Sequence, residues 1–162
     1  MFREMTRDDF VAFWPTFSKV IEGQETYAFD PNMTLEQSFD VWCNLPLKTF
    51  VYVKDREILG SFYIKANAAG PSRHICNCGY MVPERARGKG IARLMCEYSQ
   101  QIAIELGFEA MQFNSVVSTN TIAVALWKSL GFEIVGTIPR AYNHSRLGYV
   151  DSFVMYKGLV GE

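Results

Sequence analysis

Residues 77–92 read Asn77-Cys78-Gly79-Tyr80-Met81-Val82-Pro83-Glu84-Arg85-Ala86-Arg87-Gly88-Lys89-Gly90-Ile91-Ala92, a strand, a short basic turn and the first turn of a helix. That order makes an anion site. The first N–H groups of a helix have no partner within it and point outward with the positive end of the macrodipole, and Gly88 and Gly90 remove side chains that would hold a phosphate away. Arg85, Arg87, Lys89 and Arg93 add charge at the same place. The stretch alone predicts a protein that holds a phosphorylated cofactor against an open strand.

Working outward, the 162 residues fit a single domain, 1–162, long enough to bury roughly two-thirds of its unfolded surface. Hydrophobic residues make up 49% and charged residues 20%, which excludes a disordered chain or a coiled coil. No apolar run approaches the ~20 residues of a bilayer span, and the charged start Met1-Phe2-Arg3-Glu4 is no secretory signal, so a soluble cytoplasmic protein is expected. The net charge of −1 argues against nucleic-acid or anionic-membrane partners, whose binding rests on neutralising many phosphates. Cys43, Cys76, Cys78 and Cys96 lack zinc spacing; even with His74 nearby, buried thiols are expected and no metal.

Residues 1–5 suit a short strand, and Thr6 with Asp8 and Asp9 starts a helix carrying Phe10, Phe13, Trp14, Phe17, Val20 and Ile21, with Pro15 as a point of bending or restart. A loop with Tyr27 and Asp30 follows. Thr34 and Gln37 form a capping box for a second, short helix to about Asn44. Residues 50–53 and 58–64 predict a hairpin around the turn 54–57, followed by a strand over 74–82. Ile91, Leu94, Met95, Tyr98, Ile102 and Leu106 recur at helical spacing, closed by Gly107, and residues 110–117 form the next strand, parallel to 74–82. Asn120 opens another helix up to Gly131. Residues 132–138 and 149–157 then read as strands joined by a polar loop, Pro139–Gly148. The order β-α-α-β-β-β-α-β-α-β-β gives a mixed sheet with helices packed on it.

Two phosphate motifs fail on named positions. A Walker loop needs Ser or Thr after its lysine, and Gly90 follows Lys89; a dinucleotide fingerprint needs a third glycine and an early strand. What does fit is Arg85-x-x-Gly88-x-Gly90, overlapped by Arg87-x-x-Gly90-x-Ala92, together with Asn120-x-x-Ala123-x-x-Leu126-Trp127-x-x-Leu130-Gly131-Phe132 downstream. Both segments and the element order resemble the GNAT N-acetyltransferases. The resemblance implies an α+β three-layer fold with a mixed, mostly antiparallel central sheet and splayed strands at 74–82 and 109–117. It also implies acetyl-CoA as cosubstrate: pantetheine against the backbone of Tyr80, Met81 and Val82, the pyrophosphate on Arg87, Gly88, Lys89, Gly90, Ile91, Ala92 and Arg93, with Asn120 and Trp127 beside the arm.

The same resemblance implies acetyl transfer to an amine by direct attack in a ternary complex, with the backbone N–H near Val82 on the oxyanion. Where the family often has a tyrosine to protonate the thiolate, this chain has Trp127, whose indole cannot do so; Tyr142 or water is left for the role. The run 113–120 resembles a subgroup acting on proline-like amino acids, in which asparagines orient the acceptor, a role carried to Asn77 and Asn114. Tyr27, Asp30 and Tyr142 complete the expected acceptor set. Asp151 is read as structural and His144 as a solvated loop residue. A small-molecule amine is the expected partner, with a homodimer left open. The alternatives are a peptide-amine acetyltransferase and a non-catalytic acyl-CoA sensor.

Overall fold

The first two helix starts read from the sequence are both made. In the computed structural model, which describes residues 1–161, Thr6 and Asp9 exchange side-chain and backbone hydrogen bonds at 3.1 and 2.8 Å to open α1 (Arg7–Gly23). Thr34 and Gln37 do the same at α2 (Leu35–Phe39). α1 runs through Pro15 without the expected restart. α2 passes into a π turn, Asp40–Asn44, closed by Leu45 N–H on Asp40 C=O at 2.8 Å.

Strands β1 (Phe2–Glu4), β2 (Lys48–Lys54), β3 (Glu57–Ala66), β4 (Ile75–Met81), β5 (Ala110–Val117), β6 (Glu133–His144) and β7 (Gly148–Gly158) form one mixed sheet in the order β1-β2-β3-β4-β5-β7-β6. Only the β4–β5 pair is parallel. Helices α3 (Ile91–Glu105) and α4 (Thr121–Ser129) complete the chain. The β2–β3 turn is tighter than expected, with Asp55 and Arg56 both left-handed, as two-residue hairpins require. The expected loop 139–148 is mostly strand: β6 continues to His144 through an irregularity between Ile138 and Tyr142, leaving residues 145–147 as the turn. Its polar composition reflects an edge strand facing solvent, which sequence alone does not separate from a loop.

Strand alternation divides the core between two faces. Phe62, Tyr80, Met95, Phe113, Trp127 and Phe132 pack with α3 and α4, while Phe10, Phe13, Phe17, Ile21, Trp42 and Met81 pack with α1 and α2. Trp42, fully buried, donates its indole N–H to Ser61 Oγ at 2.9 Å, and Ser61 donates to Phe50 C=O at 2.8 Å, so the π turn is fixed to the sheet. No helix is long and apolar enough to cross a membrane among the described residues.

The start of α1 is tied to β1 by Arg3, which donates to both Asp9 oxygens at 2.5 and 2.9 Å. The Arg3 hydrogen bonds, joined by those from Thr6 and opposed by partial burial, hold the Asp9 carboxyl at about 2. A depressed carboxyl stabilises the fold above its unfolded pKa and loses that contribution as pH falls through the folded one. Asp9→Asn is expected to cost about 1–2 kcal/mol at pH 7, with the difference from wild type closing between pH 4 and pH 2 in thermal melts. A pH-independent difference would show that the carboxylate form is not what stabilises.

Candidate active site

β4 and β5 pair at Ile75 with Ala110 and at Cys76 with Met111, and then separate. On the β5 side His74 C=O accepts Glu109 N–H, and on the β3 side Ile75 C=O accepts Asn67 N–H, both at 2.8 Å. Alternation therefore aims the backbone of Cys76, Cys78 and Tyr80 at β5, and that of Asn77, Gly79 and Met81 at β3. Past Cys76 the β5-facing groups meet a gap. β5 turns aside because Asn114 and Ser115 together oppose the single residue Val154 of β7, a bulge between the pairs Phe113–Met155 and Val116–Phe153.

Asn77 holds the fork. Its Nδ2 donates to Gln112 C=O across the split at 2.9 Å, and its Oδ1 accepts the Tyr63 hydroxyl at 3.1 Å. Tyr63 reaches it by lying against Gly79, where an added Cβ would stand 2.4 Å from the ring. Burial pushes the Tyr63 phenol up to about 12, which keeps it a donor. Beyond the fork the strands enclose a cleft of about 1300 Å³, reaching from the 83–87 turn and α4 to the second half of α1 and the segment 25–29.

At the first end, Gly90 caps α3 with φ +77° and no side chain occupying the helix's N–H groups, and Gly88 has φ +76°. A Cβ at either glycine meets nothing within 4 Å, so the left-handed backbone, not space, calls for glycine. The N–H groups of Ile91, Ala92 and Arg93 face outward without intrahelical partners. Arg87 and Lys89 are exposed and have no ion-pair partner among the described residues, while Arg93 donates to Ser129 Oγ at 2.7 Å. Arg85 is tied to Ile58 C=O at 3.1 Å, and Glu84 is paired with Lys19 at 2.6 Å. Unpaired cations over outward N–H groups fit a multiply charged anion. Ile91 is buried, so its share is its N–H; Ala92 lines the cleft.

The remaining expected residues divide. Tyr80, Val82, Asn120 and Trp127 line the cleft. Asn120 Oδ1 caps α4 by accepting Ala123 N–H at 3.3 Å. Trp127 is buried against Tyr80, Phe113 and Phe132, with centroids at 5.1, 5.0 and 6.4 Å, which makes it a wall of the cleft. Met81 lines the cleft too, but it pairs in register with Ser61 and its backbone faces β3; Cys78 and Tyr80 supply the backbone that faces the gap instead, the Tyr80 carbonyl accepting the Tyr27 hydroxyl. Asn114 is exposed in the cleft, donating to Asn67 Oδ1 at 2.6 Å and accepting from Gln112 Nε2 at 3.0 Å. It does not face Asn77 directly; Gln112 links them, through its carbonyl to one and its side chain to the other.

Tyr27 lies in the cleft and donates its hydroxyl to Tyr80 C=O. Tyr142 is outside the lining and reaches it only by donating to Tyr27 C=O at 2.9 Å. Asp30 also lies outside, its Oδ1 accepting Asn32 N–H at 2.8 Å in a local turn. His144 is not solvated: it is 5% exposed, and its Nδ1 accepts the N–H groups of Arg146 and Leu147 at 3.1 and 3.2 Å to close the β6–β7 turn. Asp151 is structural as expected, accepting Arg140 N–H at 3.0 Å. Sequence reasoning missed Tyr63, Asn67 and Gln112. Gln112 was accessible, two residues before Asn114 on the same strand face, whereas Tyr63 depends on a close approach over Gly79.

The family model described as acetyltransferase (GNAT) family matches residues 4–132. A GCN5-related N-acetyltransferase from Kribbella flavida superposes with a TM-score of 0.92 at 40% identity, covering 98% of this chain and 96% of that one. N-acetyltransferase aca1 of Schizosaccharomyces pombe is 32% identical over 83% of this chain and 72% of its own length. A phosphinothricin acetyltransferase from Sinorhizobium meliloti, solved with acetyl-CoA, shares the fold with a TM-score of 0.86 at 17% identity, covering 98% of this chain and 87% of its own.

Asn77→Ala would leave the Tyr63 hydroxyl and the Gln112 carbonyl unpaired at the fork. The expected loss is about 1–3 kcal/mol in urea denaturation. Unchanged stability would remove Asn77 as the pin of the split.

Proposed function

The chain belongs to the GNAT family of acetyltransferases, whose acetyl donor is acetyl-CoA, and from that premise we propose that it acetylates the amine of a small molecule, with amino acids as the favoured class, by direct attack in a ternary complex. The observation that carries this reading is the broken parallel ladder between β4 and β5. Backbone groups of Cys78 and Tyr80 are aimed into the gap, where an amide-bearing chain can complete them as an added strand, taking the place of the Tyr27 hydroxyl at the Tyr80 carbonyl. The pantetheine arm is such a chain, and Val82 stands where it would enter from the turn. Its pyrophosphate falls to Gly88, Gly90 and the first N–H groups of α3, with Arg87, Lys89 and Arg93 around it and the Asn120 amide beside the arm. The N–H groups that face the gap are the donors for the thioester oxygen as it gains charge.

The other end of the cleft is then the acceptor site. Asn114 presents an amide there, and Lys65, cross-strand from Asn77, lines the same cleft without an ion-pair partner among the described residues. A neighbouring cation favours the neutral form of an amine and attracts a carboxylate, so Lys65 suits an amino acid and lessens the need for a strong base. A basic peptide is less well served. Of the acids Glu22, Glu25 and Asp30 that follow one another around the end of α1, Glu25 is paired with Arg146 at 2.9 Å, Glu22 accepts from Ser18 Oγ at 3.1 Å and Asp30 holds its own turn.

Thiol release from acetyl-CoA with an amine panel tests the reading; binding of acetyl-CoA without turnover on any amine would leave a sensor. Gly90→Glu forces a side chain into a left-handed position, about 1–2 kcal/mol, and opposes the phosphates, so coenzyme A affinity should fall at least about 100-fold. Unchanged affinity by calorimetry would remove this loop from the site. Asn114→Ala should lower kcat/KM for the acceptor by about tenfold, the worth of one hydrogen bond, and leave acetyl-CoA affinity intact. Equal loss of both would place Asn114 on the cofactor.

A further inference from the structure

The Tyr80 carbonyl, one of the groups the split leaves facing the gap, already has a partner. The Tyr27 hydroxyl donates to it from the segment between α1 and α2. That segment is strapped to the β6–β7 turn: Ser145 N–H donates to Gln24 C=O at 3.1 Å, Arg146 pairs with Glu25 at 2.9 Å, and Tyr142 donates to Tyr27 C=O at 2.9 Å. The Tyr27 ring stacks on Phe29 at 5.5 Å and meets Trp42 edge-on at 6.1 Å. Its hydroxyl is thus held, from the α1 face, over the stretch of β4 between the anion turn and the fork.

The other acids in the cleft are committed, unsuited or placed elsewhere: Lys65 lies cross-strand from Asn77 at the fork, the end assigned above to the acceptor, and Glu25 is paired with Arg146. Tyr63 donates to Asn77, and the Tyr80 hydroxyl is engaged with Ser99 on the opposite face at 2.6 Å. Trp127 has no acidic proton to give. Cys78 is buried beside Cys76, and Glu84 lies at the mouth on Lys19. Tyr142, left as a donor by sequence reasoning, is spent on the Tyr27 backbone.

We propose that the Tyr27 hydroxyl is the proton donor to the departing thiolate, an assignment that rests on the acetyl-transfer reading above. An arm entering along β4 takes over the Tyr80 carbonyl with its own amide N–H, and the displaced phenol is left beside the chain's reactive end. The amine lone pair forms the N–C bond and the C–S pair leaves on sulfur. Sulfur takes the phenolic proton, and the phenolate recovers one from the nitrogen, which became cationic on attack. One amide and one thiol result, and Tyr27 is restored. Burial raises the Tyr27 phenol, with Tyr63 and Cys78 adding to the effect, so it stays protonated until the thiolate forms; the same desolvated gap penalises that thiolate. Glu25 and Tyr142 are the titratable groups that face Tyr27 from the strap.

Tyr27→Phe keeps the ring and its stacking. Its kcat should fall about 100-fold, the scale of a general acid, while acetyl-CoA affinity is retained or improved because the hydroxyl no longer competes for Tyr80. Fluorotyrosine at position 27 keeps the hydroxyl as a somewhat stronger acid and should restore most of the kcat lost in Tyr27→Phe. Full kcat in Tyr27→Phe, a loss confined to acetyl-CoA affinity, or a fluorotyrosine enzyme as slow as Tyr27→Phe would each overturn the assignment. Wild-type protein that binds acetyl-CoA and releases no thiol with any amine would overturn the parent reading and this one together.

Discussion

A parallel ladder that stops after two residue pairs leaves backbone donors and acceptors facing each other across a space too wide to bridge, and buried polar groups of this kind must find partners. Two local features impose the break. The Asn114–Ser115 bulge bends β5 away, and the Asn77 side chain spans the point of divergence, so the separation starts at a defined residue rather than fraying. Because even-numbered residues of β4 face the gap, the same alternation that buries the Cys78 and Tyr80 side chains under α3 and α4 exposes their backbone to the cleft. Core packing and ligand pairing are thus opposite sides of one strand geometry.

The split also joins the two faces of the sheet. On one, Tyr80, Phe113, Trp127 and Phe132 form a continuous aromatic wall; on the other, Tyr27, Phe29, Trp42 and Tyr63 form a second. The first carries a single hydroxyl, that of Tyr80, bonded to Ser99 of α3. The second carries hydroxyls aimed at the strand backbone and at Asn77. Anion-holding groups lie at the α3 terminus and polar amides lie at the fork. The cleft therefore has one end with exposed cations and outward N–H groups and one end with polar amides, joined along β4.

Much of this was legible because it is local. The helix start at Thr6, the capping box at Thr34, the basic turn with Gly88 and Gly90, and the helical periodicity of 91–106 are written in residues a few positions apart. Asn77 and Asn114 stood out as amides among apolar neighbours, but whether such a group binds a ligand or satisfies the backbone depends on what lies across the sheet. Asn77 proved to be fully engaged, while Asn114 remains exposed. The bulge that separates them leaves no mark in composition, since Asn and Ser read as polar residues of any strand. Tyr142 and Asp30 were drawn into the acceptor set by residue type alone, and their hydroxyl and carboxylate turn out to be consumed by the loop they stabilise. His144 misled for the same reason: a polar stretch looked solvated, yet the ring is buried as an acceptor for its own turn.

Tryptophan at position 127 then bears on the chemistry as well as the packing. A phenol there would bring a hydroxyl to the α4 side of the gap, and a hydroxyl in that aromatic wall would need a partner. Indole fills the wall, 8% exposed, and adds no hydroxyl to it. Burial in such a gap penalises any phenolate or thiolate formed in it, which makes an ionised leaving group harder to release without a proton close by. An aromatic α4 side and a hydroxyl-bearing α1 side thus flank the same gap. The one ionisable side chain of that wall, Tyr80, bonds its hydroxyl to Ser99 of α3, so the hydroxyl that meets the β4 backbone comes from the α1–α2 segment.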